Sequence, residues 1–345
     1  MSKIIPLILL IALISSCHKD KTSDLPKSKG VYIINEGNFG FGNADVSFYN
    51  PETKAVTNDL FKTANGYSLG DVAQSMYIKD SVAFIVVNNS AKIEMVKIPS
   101  FQKIRTITIS GSSPRYILPV DDSMAYVTEL YSNKIHVINY LTGNLKTDIS
   151  VPQYTEHLVR VDEYVFAEGK KIYSSPSSKG AVYRIRIADN TFVDRKEFAG
   201  DAGGIVQDKN KNIWIALDED STTSTKASLV CLDKDLNTLA QYSMNSFGFH
   251  PNHLCMDGNG ETLFFLAGKN IYTTSISNLQ PTILFTSNAS NVYSIDVDPV
   301  SGDIYLSDAL DYVQSSHIYR HDKTGTLIHS FTAGVISGNF AFTHE

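Results

Sequence analysis

SPRYILPVDDSMAYVTELYSNKIHVINYLTGNLKTDISV, residues 113–151, decides the fold. It contains four short runs rich in Val, Ile, Leu, Thr and Tyr: SPRYILPV, MAYVTEL, KIHVINY and LKTDISV. Turn formers separate them: Asp121-Asp122-Ser123, Tyr131-Ser132-Asn133 and Thr142-Gly143-Asn144. β-prone runs of this length, bounded by Asp, Asn, Ser and Gly, read as strands. Four such strands joined by short turns make one antiparallel sheet.

The same four-run pattern recurs at roughly 40 to 48 residues, the period of propeller blades. Residues 72–109 carry AQSMYIK, VAFIVVN, KIEMVKI and IRTITI. Residues 201–243 carry GGIVQD, NIWIALD, SLVCLD and LAQYS. Residues 251–286 and 291–331 repeat it again, and 156–198 follow it more loosely, with an insertion at 168–179. That makes six blades. The N-terminal runs GVYIINEGN, ADVSFYN and AVTNDLF (within 30–61) are three strands lacking an inner one. The C-terminal run GNFAFTH (338–344) is a strand lacking company. Joining them completes a seventh blade and removes the open sheet edges of an unfinished ring. The expectation is an all-β, seven-bladed β-propeller of four-stranded antiparallel blades, closed by the C-terminal strand joining the N-terminal blade. No stretch of the mature chain reads as an amphipathic helix.

The remaining segments bound the domain. Lys3 and the apolar run Ile4–Ile14 form a secretory leader, and Ile14-Ser15-Ser16-Cys17 reads as a lipobox. The chain is thus expected to divide into a signal peptide (1–16), a flexible tether after lipidated Cys17 (17–29) and one propeller domain (30–345). The net charge of −6 gives no basic footprint for nucleic acid. It also leaves the lipid as the membrane link. Cys231 and Cys255 lie in apolar runs; the reading favours buried free thiols, with a disulfide as the alternative.

Two resemblances follow from these residues. AYVTELYSNKIHVINYLTG (125–143), preceded by SPRYI, is similar to the YVTN/YncE-type propeller repeat, with Glu129 standing where that repeat usually has Asn. GVYIINEGNFGFGNADVSFYN (30–50) and GDVAQSMYI (70–78), together with the lipobox, resemble surface propeller lipoproteins of Bacteroidetes. One branch of these is the BtuG family. That resemblance implies capture of a corrinoid (cobalamin) and its transfer to a TonB-dependent outer-membrane transporter. It also implies an outer-membrane lipoprotein exposed at the cell surface, a periplasm-facing one being the alternative.

Propeller geometry tells which residues converge. In this reading the residues leading into each innermost strand, and the loops between second and third strands, share one face around the central channel. Sites concentrate on such loops. The inner-strand set is Asp71 and Gln74; Arg115 and Tyr116; Tyr154, Glu156 and His157; Asp201; Phe249, His250, Asn252 and His253; Asn291 and Tyr293; and Asn339 and Phe340. The loop set adds Glu36, Asn38, Phe39 and Phe41, then Asn88 and Asn89, Glu129 and Tyr131, Asp218 to Asp220, and Asp311 and Tyr312. Aromatics mixed with amides and carboxylates suit a large ligand with flat apolar parts and a polar periphery. His250 and His253 form a lone His-x-x-His without an evident third ligand, so no metal is assigned. No cofactor is expected, and no nucleophile elbow, phosphate loop or dinucleotide fingerprint occurs. The expectation is a non-enzymatic binding module. The alternatives are a propeller enzyme of the lactonase or lyase type and a protein-interaction scaffold. The Asp218–Lys226 insertion, rich in Asp, Ser and Thr, reads as a mobile loop.

Overall fold

The computed structural model describes residues 29–344 apart from 173, 176, 177 and 247. The leader, Cys17 and the tether up to residue 28 fall outside the described residues. The described residues form seven four-stranded antiparallel sheets in sequence order. Their inner strands are Ser337–Thr343 (blade 1), Ala73–Lys79, Pro114–Pro119, Thr155–Val161, Ala202–Gln207, Asn252–Met256 and Val292–Val297 (blades 2 to 7).

Blade 1 is built from both chain ends. The last strand pairs with the first strand, Gly30–Asn35, through Val31↔Phe342 and Ile33↔Phe340. The expected closure is therefore the observed one.

Packing explains why the strands read as they do. The second strands, such as VAFIVV (82–87), IWIAL (213–217) and TLFFLA (262–267), are apolar almost throughout because both of their faces are covered. Side chains on one face join one inter-blade core, and those on the other face join the next. Tyr32 and Ile34 face blade 2 with Met76, Ile85 and Phe101. Val31 and Ile33 face blade 7 with Tyr305, Ile318 and Phe331. The outer strands are half solvated and alternate instead, as in TFVDRKEF (191–198).

One expectation fails in blade 1. Residues 55–61 do not form a full third strand. The strand is only Val56–Thr57, and a short helix, Leu60–Asn65, follows it. Asp59 takes a left-handed turn (φ 56°), and its N–H is held by the Asp45 carboxylate at 2.6 Å. This turns Leu60 and Phe61 under the blade into the core shared with blade 2. The apolar pair that looked like the end of a strand is a plug between blades. Among the described residues, no helix is long and apolar enough to cross a membrane. Cys231 and Cys255 are both free and buried.

Candidate functional site

Every inner strand starts at one face of the ring, and each breaks register with its neighbour close to that start. The breaks fall between Ala73 and Ser75, Pro114 and Ile117, Thr155 and Leu158, Ala202 and Ile205, Asn252 and Cys255, and Val292 and Ser294. In blade 1 the ladder skips Gly338. A bulge frees a residue from the ladder and re-aims its side chain. Among the residues these breaks free, Gln74, Arg115 and Tyr116, Glu156 and His157, Gly203, His253 and Tyr293 turn toward the channel. All of them, with Gly338 and Asn252, line one cavity of about 330 Å³ at the channel mouth. The loop after the first strand adds Glu36, and the end of the second strand of blade 4 with the residue after it adds Glu168 and Lys170.

The mouth is a network of charges. Arg115 Nε lies 2.9 Å from both Glu156 oxygens, and its Nη1 donates to the Gln74 side-chain carbonyl. His157 Nδ1 lies 2.6 Å from Glu168 Oε2, while the Tyr116 ring packs on the imidazole at a centroid distance of 4.0 Å. Lys170 bridges Glu168 at 3.3 Å and Asp201 at 3.2 Å. Burial pushes the Glu168 carboxyl up, but the Lys170 ammonium and His157 outweigh it and hold the group at about 2. Glu36 is the opposite case. Burial pushes its carboxyl up to about 7, against the opposing hydrogen bond from the Tyr293 hydroxyl, 3.1 Å from either oxygen. Burial also depresses His253 to about 4, and His157 adds to the effect.

Two glycines make room for this arrangement. A Cβ on Gly338 would stand 2.3 Å from Glu36 Oε1, and one on Gly203 would stand 2.1 Å from the Pro251 carbonyl. Below the mouth the shaft mixes apolar side chains with polar ones such as Gln207, Ser294 and Asn339. A chamber of about 380 Å³ is lined by Val159, Ile205, Leu254, Met256 and Phe340, with Asp296 as its carboxyl, pushed by burial to about 7. Tyr116 and His157 border both this chamber and the mouth.

The structure sorts the sequence-derived set. Glu36, Gln74, Arg115, Tyr116, Glu156, His157, Asn252 and Tyr293 meet at the mouth, and His253 joins them. Asn339 lines the shaft below. The others stay outside the cavity. Asp71 accepts hydrogen bonds from Gly40 N–H and the Asn89 amide, so it ties two loops together. Asn38 donates to the Tyr312 carbonyl at 2.6 Å. The Asn291 N–H is capped by Asp308. Asp201 caps the Lys171 and Ala202 N–H groups beside Lys170. Phe249 packs edge-on against Phe265 and Tyr272 in the core between blades 5 and 6. His250 is at the rim, 2.7 Å from Asp218, whereas His253 turns into the shaft, so the His-x-x-His spacing splits. Phe39 and Tyr131 stand on rim loops, 74% and 81% exposed, with Phe41 beside Phe39 at 78%. Glu168 and Lys170 were missed because they sit at the edge of the stretch read as an insertion. The signal available was the strand YVFAEG (164–169), whose last residues reach the same height as Glu129 and Asp308 in their blades. The loop expected to be mobile, Asp218–Lys226, is pinned by paired Asp220 and Thr225 and by Lys171, 2.8 Å from Asp220. Among the described residues, no three His, Cys, Asp or Glu side chains come together as a metal set.

The fold and its central shaft define the class, a seven-bladed β-propeller. The chain belongs to the DUF5074 family, described as a domain of unknown function, whose model matches residues 29–335. None of the curated proteins compared with it matches. Among solved structures it is similar to a quinonprotein alcohol dehydrogenase-like protein from Bacteroides thetaiotaomicron. That pair shares 14% identity over 91% of this chain and 78% of the other, with a TM-score of 0.70. It is also similar to the periplasmic gluconolactonase of Pseudomonas aeruginosa, at 14% identity over 92% and 99% of the two chains and a TM-score of 0.66. Virginiamycin B lyase from Staphylococcus aureus matches at 13% identity over 79% and 89%, with a TM-score of 0.62. At these identities the likeness is one of fold.

Proposed function

We propose that the chain is a binding module that captures a large amphipathic ligand at the channel mouth and does not turn it over. The observation that carries this reading is the ring of bulges around one polar cavity, on the face whose loops carry the exposed rings of Phe39, Phe41 and Tyr131. Polar groups fix orientation in such a pocket, and the exposed aromatics supply flat apolar contact. The specific ligand proposed is a corrinoid, passed on to a TonB-dependent outer-membrane transporter. Its support is the sequence resemblance of residues 30–50 and 70–78 to the BtuG family. Lipidation at Cys17 fits this picture: the chain enters the ring at Gly30, which pairs with Thr343 at the end of the first blade away from the mouth.

Calorimetric titration of the protein with cyanocobalamin tests the ligand. Saturable binding and a raised melting midpoint are expected, since a ligand that binds only the native state stabilises it. Absence of both refutes the corrinoid reading. A lactonase or lyase is the second reading, and the Glu168–His157 pair favours it. A buried carboxylate holding Nδ1 leaves Nε2 free to take a proton. Turnover of a lactone that is abolished in His157→Asn is the result that selects it.

A further inference from the structure

Three carboxylates line the mouth, and two of them are matched. Glu156 has Arg115, and Glu168 has Lys170 and His157. Glu36 has no cation within ion-pair distance among the described residues; its side-chain partner is the Tyr293 hydroxyl. Arg115 acts on it only at longer range, because the guanidinium is committed to Glu156 and Gln74. Glu36 is also held in place. Its N–H donates to the Ile336 carbonyl at 2.8 Å, and its carboxylate lies against Gly338, where any side chain would displace it. A carboxylate removed from water without a counter-charge is costly. One aromatic side chain touches it, Tyr293, which in turn meets Tyr312 edge-to-face at 5.8 Å, and the Asn38 amide ties the loop bearing Phe39 to the Tyr312 carbonyl. A carboxylate next to aromatic rings is the chemistry that recognises organic cations, through charge and through the negative faces of the rings.

We propose that Glu36 is the recognition point for a positively charged ligand group, an organic ammonium, whose arrival supplies the missing counter-charge. This rests on the mouth being the ligand site, and it assigns that site a cationic group that cyanocobalamin does not carry, so the two ligand assignments are tested separately. The groups that face Glu36 are Tyr293 from blade 7, Arg115 from blade 3 and Glu156 from blade 4, and Tyr312 acts on it through Tyr293. With the carboxyl at about 7, a bound cation favours the ionised form and expels a proton. Ammonium affinity then falls about tenfold between pH 8 and pH 6.

The test is calorimetry with choline and putrescine, and with 3,3-dimethylbutan-1-ol as the neutral counterpart of choline, on the wild type and on Glu36→Gln. Expected are binding of the two cations, at least tenfold weaker binding of the alcohol, and proton release detected by repeating the titration in buffers of different ionisation enthalpy. Glu36→Gln is expected to stay folded, lose tenfold or more in cation affinity, and lose the proton release. Equal affinity for choline and the alcohol overturns the proposal, as does unchanged cation binding in Glu36→Gln. If cyanocobalamin binds and no ammonium does, this proposal fails while ligand capture stands. If ammonium binds and cyanocobalamin does not, the corrinoid assignment fails alone.

Discussion

Ile33 in the first strand pairs with Phe340 in the last, so the two ends of the chain share one hydrogen-bonded ladder. Phe340 is also buried in the core between blades 7 and 1, near Tyr305 at a centroid distance of 6.0 Å. The seam is thus a core and a ladder at once. Closure of this kind couples every blade to the others, because each inter-blade core is flanked by two more.

Deleting residues 338–345 is expected to destabilise the whole ring rather than fray one end. The deletion exposes the first strand as an open edge and removes Phe340 from its core. The single change Phe340→Ala is expected to cost roughly 3 kcal/mol. Denaturant unfolding followed by intrinsic fluorescence checks both. A truncated protein with an unchanged midpoint would show that the seam does not hold the ring.

The blades were legible in the sequence because covered strands carry a blunt signal. IWIAL and TLFFLA cannot sit at a solvated surface, and the turns around them contain Asp, Asn and Gly that cap their own backbone. Closure was legible because the deficits at the two ends were complementary. Blade 1's outer edge was not, since Leu60 and Phe61 are apolar in a strand and in a plug alike. The site was half legible. Residues near the starts of inner strands could be gathered onto one face, but the bulges decide which of them turn inward. His250 and His253 have similar sequence surroundings, yet His253 sits at a left-handed φ of 49° inside a register break, and His250 does not. Asp71 and Asn291 fell into the set because a loop-bracing residue and a ligand-facing residue look the same in sequence.

Arg115 and Glu156 make the ion pair at the centre of the mouth, with side chains 20% and 11% exposed. Replacing Arg115 by Met leaves Glu156 buried without its counter-charge, and the expected loss is roughly 3 to 5 kcal/mol. The double variant Arg115→Met/Glu156→Met is expected to lose much less than the sum of its parts, with a coupling of about 1 to 3 kcal/mol. Urea melts of the four proteins give the cycle. Additive losses would mean that the two groups hold the fold independently.

Asp45 gives the protein a pH-dependent weakness away from the mouth. Burial pushes its carboxyl up to about 7; the Val46 N–H opposes this and the Asp59 carboxylate adds to it. The folded chain therefore keeps this proton to a higher pH than the unfolded chain does. The stability this provides is present below about pH 4 and is lost as pH rises toward 7. Asp45→Asn keeps an acceptor for the Asp59 N–H and carries no charge. It is expected to flatten the pH–stability curve over that range and to gain on the order of 2 kcal/mol at pH 8. Thermal melts across pH decide the matter, and a variant that follows the wild-type curve would remove Asp45 as the cause.

The rim aromatics separate recognition from stability. Phe39, Phe41 and Tyr131 project from loops on the mouth face and are largely exposed, so Phe39→Ser, Phe41→Ser and Tyr131→Ser are expected to change folding stability by less than about 0.5 kcal/mol. If these rings clasp the ligand, each change costs about 1 to 3 kcal/mol of binding, or roughly one to two decades in affinity. Phe249 looked equivalent in sequence but packs on Phe265 and Tyr272, so Phe249→Ala is expected to lose roughly 2 kcal/mol of stability instead. Leu141 and Val300 are exposed apolar residues on turns of the opposite face, and Leu141→Ser and Val300→Ser are expected to affect neither property. The comparison is internal, because all five exposed positions lose apolar surface and only three of them lie on loops of the mouth face. Binding losses that fall on Leu141 and Val300, with the rim variants intact, would place the ligand at the far end of the shaft rather than at the charged mouth.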